Sequence, residues 1–492
     1  MSALKYVCLS DLHLGAAYSI LTGVTPDGRL DLARTSPSLA SFGRALREQV
    51  SRLAGDGRPT LILLGDVLDM GLSPTGAVVR AYRRFVEALF PANEPPVFGD
   101  QLLCVPGNHD HHLWRGAQDD LFLEKLHLPE HEGWLPDLIE HTPLFGPPSV
   151  SSRLLTKVMH GFPHLADTRV DIAYPNLGLL DEASGRCVML HHGHYVDSMY
   201  LALSSLNSLM ANSSARPKTV SQIERQNGAW VDFVWSDLGG AGAVGQDAMT
   251  LYRILRDAGE SHRFTQLMGD RLLQYLGDSY GISANSVVTH GVTVSNLLRA
   301  AIDASVGRSA ESERSSYDTV LSDAAVAELR WYLGHPLRNQ LVAERKLSKV
   351  KEAAFIFGHT HKPFQAELVV DGYELPMSIY NTGGWVMDQP TMAPTQGASA
   401  MFIDAELNIA TQRLFNDPVH GSPFREVRVL GTGGFRDREN PLLEKVSSAL
   451  AQTSTAWQAF SDSAAGDLRL RADQLLTEFF DPKLPLMAGG AR

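Results

Sequence analysis

The fold class predicted for this 492-residue sequence is α/β. Three observations predict it. Five short apolar runs each end abruptly in Asp, Asn or His; amphipathic helical patterns separate the first three runs; and the composition, 44% hydrophobic and 20% charged, is that of a globular chain able to bury a large core.

The runs are "KYVCLSD" (5–11), "TLILLGD" (60–66), "QLLCVPGN" (101–108), "RCVMLHHG" (186–193) and "AAFIFGHT" (353–360). Continuous apolar runs of this length suit strands covered on both faces. Between the first two, Leu39, Phe42, Leu46, Val50 and Leu53 recur at helical spacing, predicting a helix over 37–54. "AVVRAYRRFVEALF" predicts a second helix before the third run. Strand–helix alternation of this kind points to sheets flanked by helices. In such folds ligands gather beyond the carboxyl ends of strands.

The alternation stops after His194. Residues 196–349 read as a large helical insertion, with Leu251, Ile254 and Leu255 sharing one helix face and Val326, Leu329, Tyr332 and Leu333 another. Strand-like sequence resumes at "SIYNTGGWV" (378–386) and "SAMFIDAE" (399–406). The expected organisation is a core over 1–195 and 350–425, the insertion over 196–349, and a mostly helical C-terminal extension over 426–492. The insertion leaves and rejoins the core beside the strand ends, so it is expected to act as a lid or as a self-association interface, which leaves a homo-oligomer open.

Composition also limits function. A net charge of −12 argues against an open nucleic-acid surface. Cys8, Cys104 and Cys187 each sit in an apolar run and are expected as buried thiols. No run is apolar and long enough for a membrane span, and "MSALKYVCLSDLHLG" shows no targeting core, so a cytoplasmic location is expected.

The strand ends carry the chemistry. Asp11 and His13 stand two apart in "SDLHLG", and on an extended chain they point the same way. Asp66 ends "GD", where its two oxygens can bridge two cations. Asn108 offers a neutral carbonyl oxygen in "GNHD". His191, His192 and His194 lie in "HHGH", and His359 and His361 in "GHTH". Mixed oxygen and nitrogen donors without thiolate suggest first-row transition metals, with enough ligands for two ions.

In that order, "DLH", "GDxxD", "GNHD", "HGH" and "GHTH" resemble the calcineurin-like metallophosphoesterase superfamily. The resemblance covers roughly 1–195 and 350–415. It implies a two-sheet β-sandwich flanked by helices, and a dinuclear hydrolase of phosphoester or pyrophosphate bonds with water activated between two divalent ions (Mn, Fe, Zn or Ni). It implies that one ion takes Asp11, His13 and His361, that the other takes Asn108, His192 and His359, and that Asp66 bridges them. It selects His192 over His191, because the ligand in that block precedes Gly. It also implies that His109 is the catalytic histidine, paired with Asp69. His111 and His112 match no required position and are expected in a turn or at a pocket rim.

"SDLHLG" and "GHTHKP" further resemble bacterial pyrophosphatases of UDP-diacylglucosamine, many of which carry Arg where this chain has His109. A phosphorylated small molecule is the expected substrate. The alternatives are a DNA exo- or endonuclease and a non-catalytic binding scaffold. In "NTGGWV", Gly383 and Gly384 either admit close backbone approach to the ions or form an ordinary turn. Trp385 is a candidate for covering the site or stacking on a base.

Overall fold

The computed structural model describes residues 3–126, 138–232, 319–416 and 427–480, apart from 72, 148–149, 211–215, 388–389, 435–436 and 438, with a few residues between 283 and 295. The helical pattern containing Leu251, Ile254 and Leu255 lies outside the described residues.

In chain order the strands are β1 (Leu4–Leu9), β2 (Thr60–Leu64), β3 (Gln101–Val105), β4 (Val150–Ser151), β5 (Arg169–Ile172), β6 (Asn176–Asp181), β7 (Arg186–His191), β8 (Val287–Thr289), β9 (Val292–Thr293), β10 (Glu352–Phe357), β11 (Phe364–Leu368), β12 (Met377–Asn381), β13 (Ser399–Asp404), β14 (Ile409–Arg413) and β15 (Arg428–Leu430). They form an eight-stranded sheet, β15-β14-β13-β1-β2-β3-β5-β4, and a five-stranded sheet, β11-β12-β10-β7-β6; β8 and β9 pair separately inside the insertion. Neighbours among β1, β2, β3 and β5 run parallel, as do β7, β10 and β12. The chain is thus an α/β protein with two mixed sheets flanked by helices.

Strand alternation explains why the predicted runs are apolar on every residue. Val7, Leu9, Leu61 and Leu63 join the core beneath the helices, whereas Cys8, Ile62, Leu64, Val105 and Met401 meet Val188, Leu190 and Ile356 from the second sheet. The three cysteines are buried and unpaired. Burial pushes the Cys187 thiol up to about 12, so it is neutral.

The first predicted helix is α1 (Pro37–Leu53). The Ser36 side chain caps it by accepting from Leu39 N, and Pro37 occupies the first turn, where its missing N–H costs nothing. Leu39, Phe42, Leu46 and Val50 are buried, and Leu53 is half-buried. Next come α2 (Thr75–Leu89), α3 (His112–Leu126) and α4 (Arg153–Met159). Within the insertion, α5 (Ala202–Met210), α6 (Val220–Val231), α7 (Asp323–Tyr332) and α8 (Arg338–Ala343) are described. Ile223, Leu329, Tyr332 and Leu341 pack with Met189, Phe355 and Phe357 on the outer face of the five-stranded sheet. The helical pattern over 322–345 is interrupted by a π-type turn, Leu333–Leu337, which holds Pro336. Proline has no N–H for the regular ladder, and the widened turn accommodates it.

The tail is more integrated than an extension. β15 lies beyond the expected core boundary at 425, yet it edges the larger sheet. After α9 (Pro441–Gln452), α10 (Ser454–Phe480) packs along α1. Trp457, Phe460 and Leu468 share one core with Phe42 and Trp385. Among the described residues no helix is long and apolar enough to cross a membrane.

Candidate metal centre

Every expected ligand lies just beyond the carboxyl end of a strand. β1 leads to Asp11 and His13, β2 to Asp66, β3 to Asn108, β7 to His192, and β10 to His359 and His361. Parallel neighbours deliver these ends to a common rim.

The local backbone differs from the extended i, i+2 geometry expected. Asp11, His13, Asp66, His359 and His361 have φ of 50°, 46°, 49°, 67° and 59°. This left-handed region costs a non-glycine residue roughly 1–3 kcal/mol and persists where surrounding structure imposes it. The chain coils as it leaves each strand, so the side chains converge through a turn and not through the pleat. Asp11 N still donates to Gly65 O, and His13 N to Asp66 O, both at 2.9 Å, so the two coiled ends remain joined.

Three donor groups result among the described residues: one is His13, Asp69 and His109, and the other two hold the expected ligands. Of those two, Asp11, His13 and His361 form the first; Asp66, His192 and His359 form the second. In the first, His361 Nε2 lies 3.3 Å from Asp11 Oδ1 and 3.2 Å from His13 Nε2. In the second, His192 Nε2 lies 3.3 Å from Asp66 Oδ2. Asn108 Oδ1 joins it, 3.1 Å from His192 Nε2 and 3.0 Å from His359 Nδ1. Asp66 Oδ2 is also 3.7 Å from His13 Nε2, which places this carboxylate between the groups.

Donor atoms bonded to one ion at about 2.0–2.2 Å stand roughly 3–3.4 Å apart. The separations within each of these two ligand groups match that spacing, and the imidazole and carboxylate donor set suits first-row divalent ions. The residues present therefore fit a metal ion in each of the two. Burial opposes ionisation of Asp66, but the charges of His192, His109 and His13 hold its carboxyl well below the ordinary range. Burial likewise opposes a charged His192, yet Asp66 and, more weakly, Asp11 and Asp110 raise it to about 9.

His109 stands beside the first group, its ring edge-on to His13 at 4.7 Å between centroids. Its Nδ1–H donates to Asp69 Oδ1 at 2.7 Å, with both side chains fully buried. Burial pushes Asp69 up, but hydrogen bonds with His109 and His13 outweigh it and hold the carboxyl below its ordinary value.

The remaining histidines separate clearly. His191 accepts from Gly193 N through Nδ1, and its ring lies against Tyr332 and His194, outside both groups. His194 is fully buried against Tyr195 and belongs to neither group. His111 is no rim residue. It is buried and bonded to Tyr174 at 2.8 Å and to Asp232, at the end of α6, at 2.5 Å. His112 is exposed at the start of α3.

The "NTGGWV" segment closes against the first group. Asn381 Nδ2 donates to Gly358 O, and Gly383 N donates to Asn381 Oδ1. A Cβ on Gly384 would lie 2.5 Å from His361 Cδ2, so close approach requires this glycine. Trp385 is fully buried among Phe42, Phe415 and Phe460 and is unavailable to cover a substrate.

Two contributors were missed in the sequence. The Asp110 carboxylate accepts from the backbone N–H of Asp66, Val67, Leu68 and Gly107, tying the turns that carry Asp66 and Asn108. Its place in "GNHD" was the available signal. Tyr18 donates to Asp69 Oδ2 at 2.7 Å. Nothing local in "GAAYSI" marks that role.

No curated protein matches the chain. A family model described as calcineurin-like phosphoesterase matches residues 4–237, a stretch that holds Asp11, His13, Asp66, Asn108, His109 and His192. The match places residues 4–237, just under half of the chain, in the calcineurin-like phosphoesterase family.

Proposed function

We propose that the protein hydrolyses phosphoester or pyrophosphate bonds of a phosphorylated small molecule, using two divalent transition-metal ions. The observation that carries this reading is the pair of donor groups with Asp66 between them and the His109–Asp69 pair alongside. Asp11, His13, His361 and Asp66 would hold one ion; Asn108, His192, His359 and Asp66 the other. When bound, such ions supply Lewis acidity toward the phosphoryl oxygens and lower the pKa of attacking water.

The chain's own residues supply the rest. Asp69 accepts the His109 Nδ1–H and fixes the ring, leaving Nε2 as the atom that carries the transferred proton. Water adds its oxygen to phosphorus, and the bond to the leaving oxygen breaks with its electron pair. That oxygen takes the His109 proton, and a proton from the attacking water restores the imidazolium. The seven ligand side chains are 0–4% exposed. A centre so enclosed, in a chain of net charge −12, favours a small ester over duplex DNA.

The test is turnover of monoesters, diesters, nucleotide sugars and DNA with Mn, Fe, Zn or Ni, comparing wild type with Asp66→Asn. Ion-dependent turnover of a small ester, lost together with ion content in Asp66→Asn, is expected. Full ion content and activity in that variant would contradict the bridging role. Turnover of DNA alone would replace the small-molecule reading with a nuclease.

A further inference from the structure

We propose that Tyr18 is a positioning residue for His109, acting through Asp69, and that the C-terminal helix α10 holds Tyr18 in place through Arg471. The proposal rests on the function assigned above and adds a residue and a distant helix to that site.

Asp69 is fully buried, and its two oxygens have different work. Oδ1 takes the Nδ1–H of His109 at 2.7 Å. Oδ2 takes the Tyr18 hydroxyl at 2.7 Å and the Ser73 hydroxyl at 3.3 Å. A carboxylate held at one oxygen only can rotate about its terminal torsion, which is soft and broad. Donation from Tyr18 to the second oxygen sets the carboxylate plane. That plane sets where Oδ1 points, and so where the far edge of the His109 ring points.

Tyr18 is not on a regular element, so something else must place it. Its own carbonyl accepts from Met387 N at 2.9 Å, and Ile20 N donates to Trp385 O at 3.0 Å. The Ser19 hydroxyl donates to Leu12 O at 2.6 Å. On the opposite side, Arg471 of α10 reaches in. Its Nη2 donates to Ser19 O at 2.5 Å and to Thr22 O at 2.7 Å. Arg471 is 1% exposed, and Asp467 one turn earlier lies 3.7 Å away. Asp467 in turn accepts from Ser38 N and Oγ at the start of α1. A buried charge pair is expensive to desolvate. Arg471 Nη1 donates to Asp467 O of its own helix at 3.1 Å, whereas Nη2 is spent on two loop carbonyls that follow Tyr18 in the chain. Thus residues some 450 positions apart in the chain set the orientation of one proton donor.

Protonation matters most when the leaving oxygen is strongly basic. Loss of Tyr18 should therefore slow an alkyl ester more than a nitrophenyl ester. The ion-loaded full chain is assayed as wild type, Tyr18→Phe, His109→Ala and the double variant, on glycerol phosphate and 4-nitrophenyl phosphate. In Tyr18→Phe, kcat is expected to fall about tenfold more on glycerol phosphate than on the aryl ester, with KM, ion content and melting temperature retained. In the His109→Ala background, Tyr18→Phe should cost nothing further, because the two act as one unit.

A second readout needs no turnover. With nitrogen-15 histidine, the hydrogen-bonded Nδ1–H resonance of His109 should be seen in wild type and be broadened or lost in Tyr18→Phe. Arg471→Met should show the same resonance change. Should that variant not fold, Tyr18→Phe decides alone. Equal slowing on both esters, an additive double variant, or an unchanged resonance overturns the proposal. The two readings fail separately. Absence of turnover on every ester removes the proposed function, while the resonance still decides Tyr18. Leaving-group dependence in His109→Ala but not in Tyr18→Phe removes only the role of Tyr18.

Discussion

Adding one methyl group at Gly384 tests whether the close approach of backbone to ligand matters. The Cβ of Gly384→Ala would fall 2.5 Å from His361 Cδ2, 2.6 Å from Cγ and 3.1 Å from Cβ. Ordinary carbon–carbon contact begins at about 3.5 Å, so the ring must retreat by about 1 Å. It has little room to do so. His361 Nε2 sits 3.2 Å from His13 Nε2 and 3.3 Å from Asp11 Oδ1, and Gly384 N is held by Gly397 O at 2.7 Å. Overpacking of this kind costs roughly 1–3 kcal/mol in stability. A misplacement of about 1 Å at a reacting centre costs on the order of 100-fold in rate. Ion content per chain by mass spectrometry, and turnover at saturating ion, are the assays. The expected outcome is partial loss of ion and at least about 100-fold lower turnover, with a folded protein by circular dichroism. Gly116→Ala is the control, since its Cβ would meet nothing within 4 Å. Wild-type ion content and turnover in Gly384→Ala would refute the reasoning, because the ring would then have tolerated the displacement.

Three further outcomes are expected. His109→Ala should keep both ions and slow turnover of an alkyl ester by about 10²–10⁴-fold, read by steady-state kinetics and ion analysis on one sample. Ion uptake should release a proton from His192, which is held near 9 by Asp66, so affinity falls as pH drops below about 9. Calorimetry in two buffers of different ionisation enthalpy checks this, and identical heats would count against it. Glu224 on α6 is buried and accepts from the Tyr174 and Tyr195 hydroxyls, each at 2.9 Å, while burial lifts its carboxyl from 4.5 to about 8. Between those values the native state holds a proton that the unfolded chain has lost. Stability is therefore full below about 4.5 and falls by at most about 5 kcal/mol as pH rises through 8. Urea denaturation at pH 6 and 8.5 should show that Glu224→Gln loses this part of the slope, and parallel curves for the two proteins would show that Glu224 does not titrate in the window.

What was legible in the sequence is local in kind. Apolar runs ending in Asp, Asn or His named five strand ends, and parallel pairing brings such ends to one rim regardless of detail. The periodicity of Leu39, Phe42, Leu46 and Val50 located α1, because a helix face follows from spacing alone. Family order in "GHTH" and "HGH" singled out His192 and His361, and the structure brings both into the donor groups. The rest depends on contacts between distant segments. The left-handed turns at Asp11 and His359 come from neighbouring strands that hold the chain there, since Asp and His tolerate the conformation better than most residues but do not by themselves impose it. Trp385 was ambiguous beside two glycines until α10 closed over it with Phe460. Tyr18 and Arg471 carry no periodic or motif signal for their bonds. The sequence by itself determined which chemical groups stand at the strand ends. Only the tertiary structure decided how they are oriented, since a hydrogen bond between Tyr18 and Asp69, or between Arg471 and Ser19, exists once folding has removed the chain length between them.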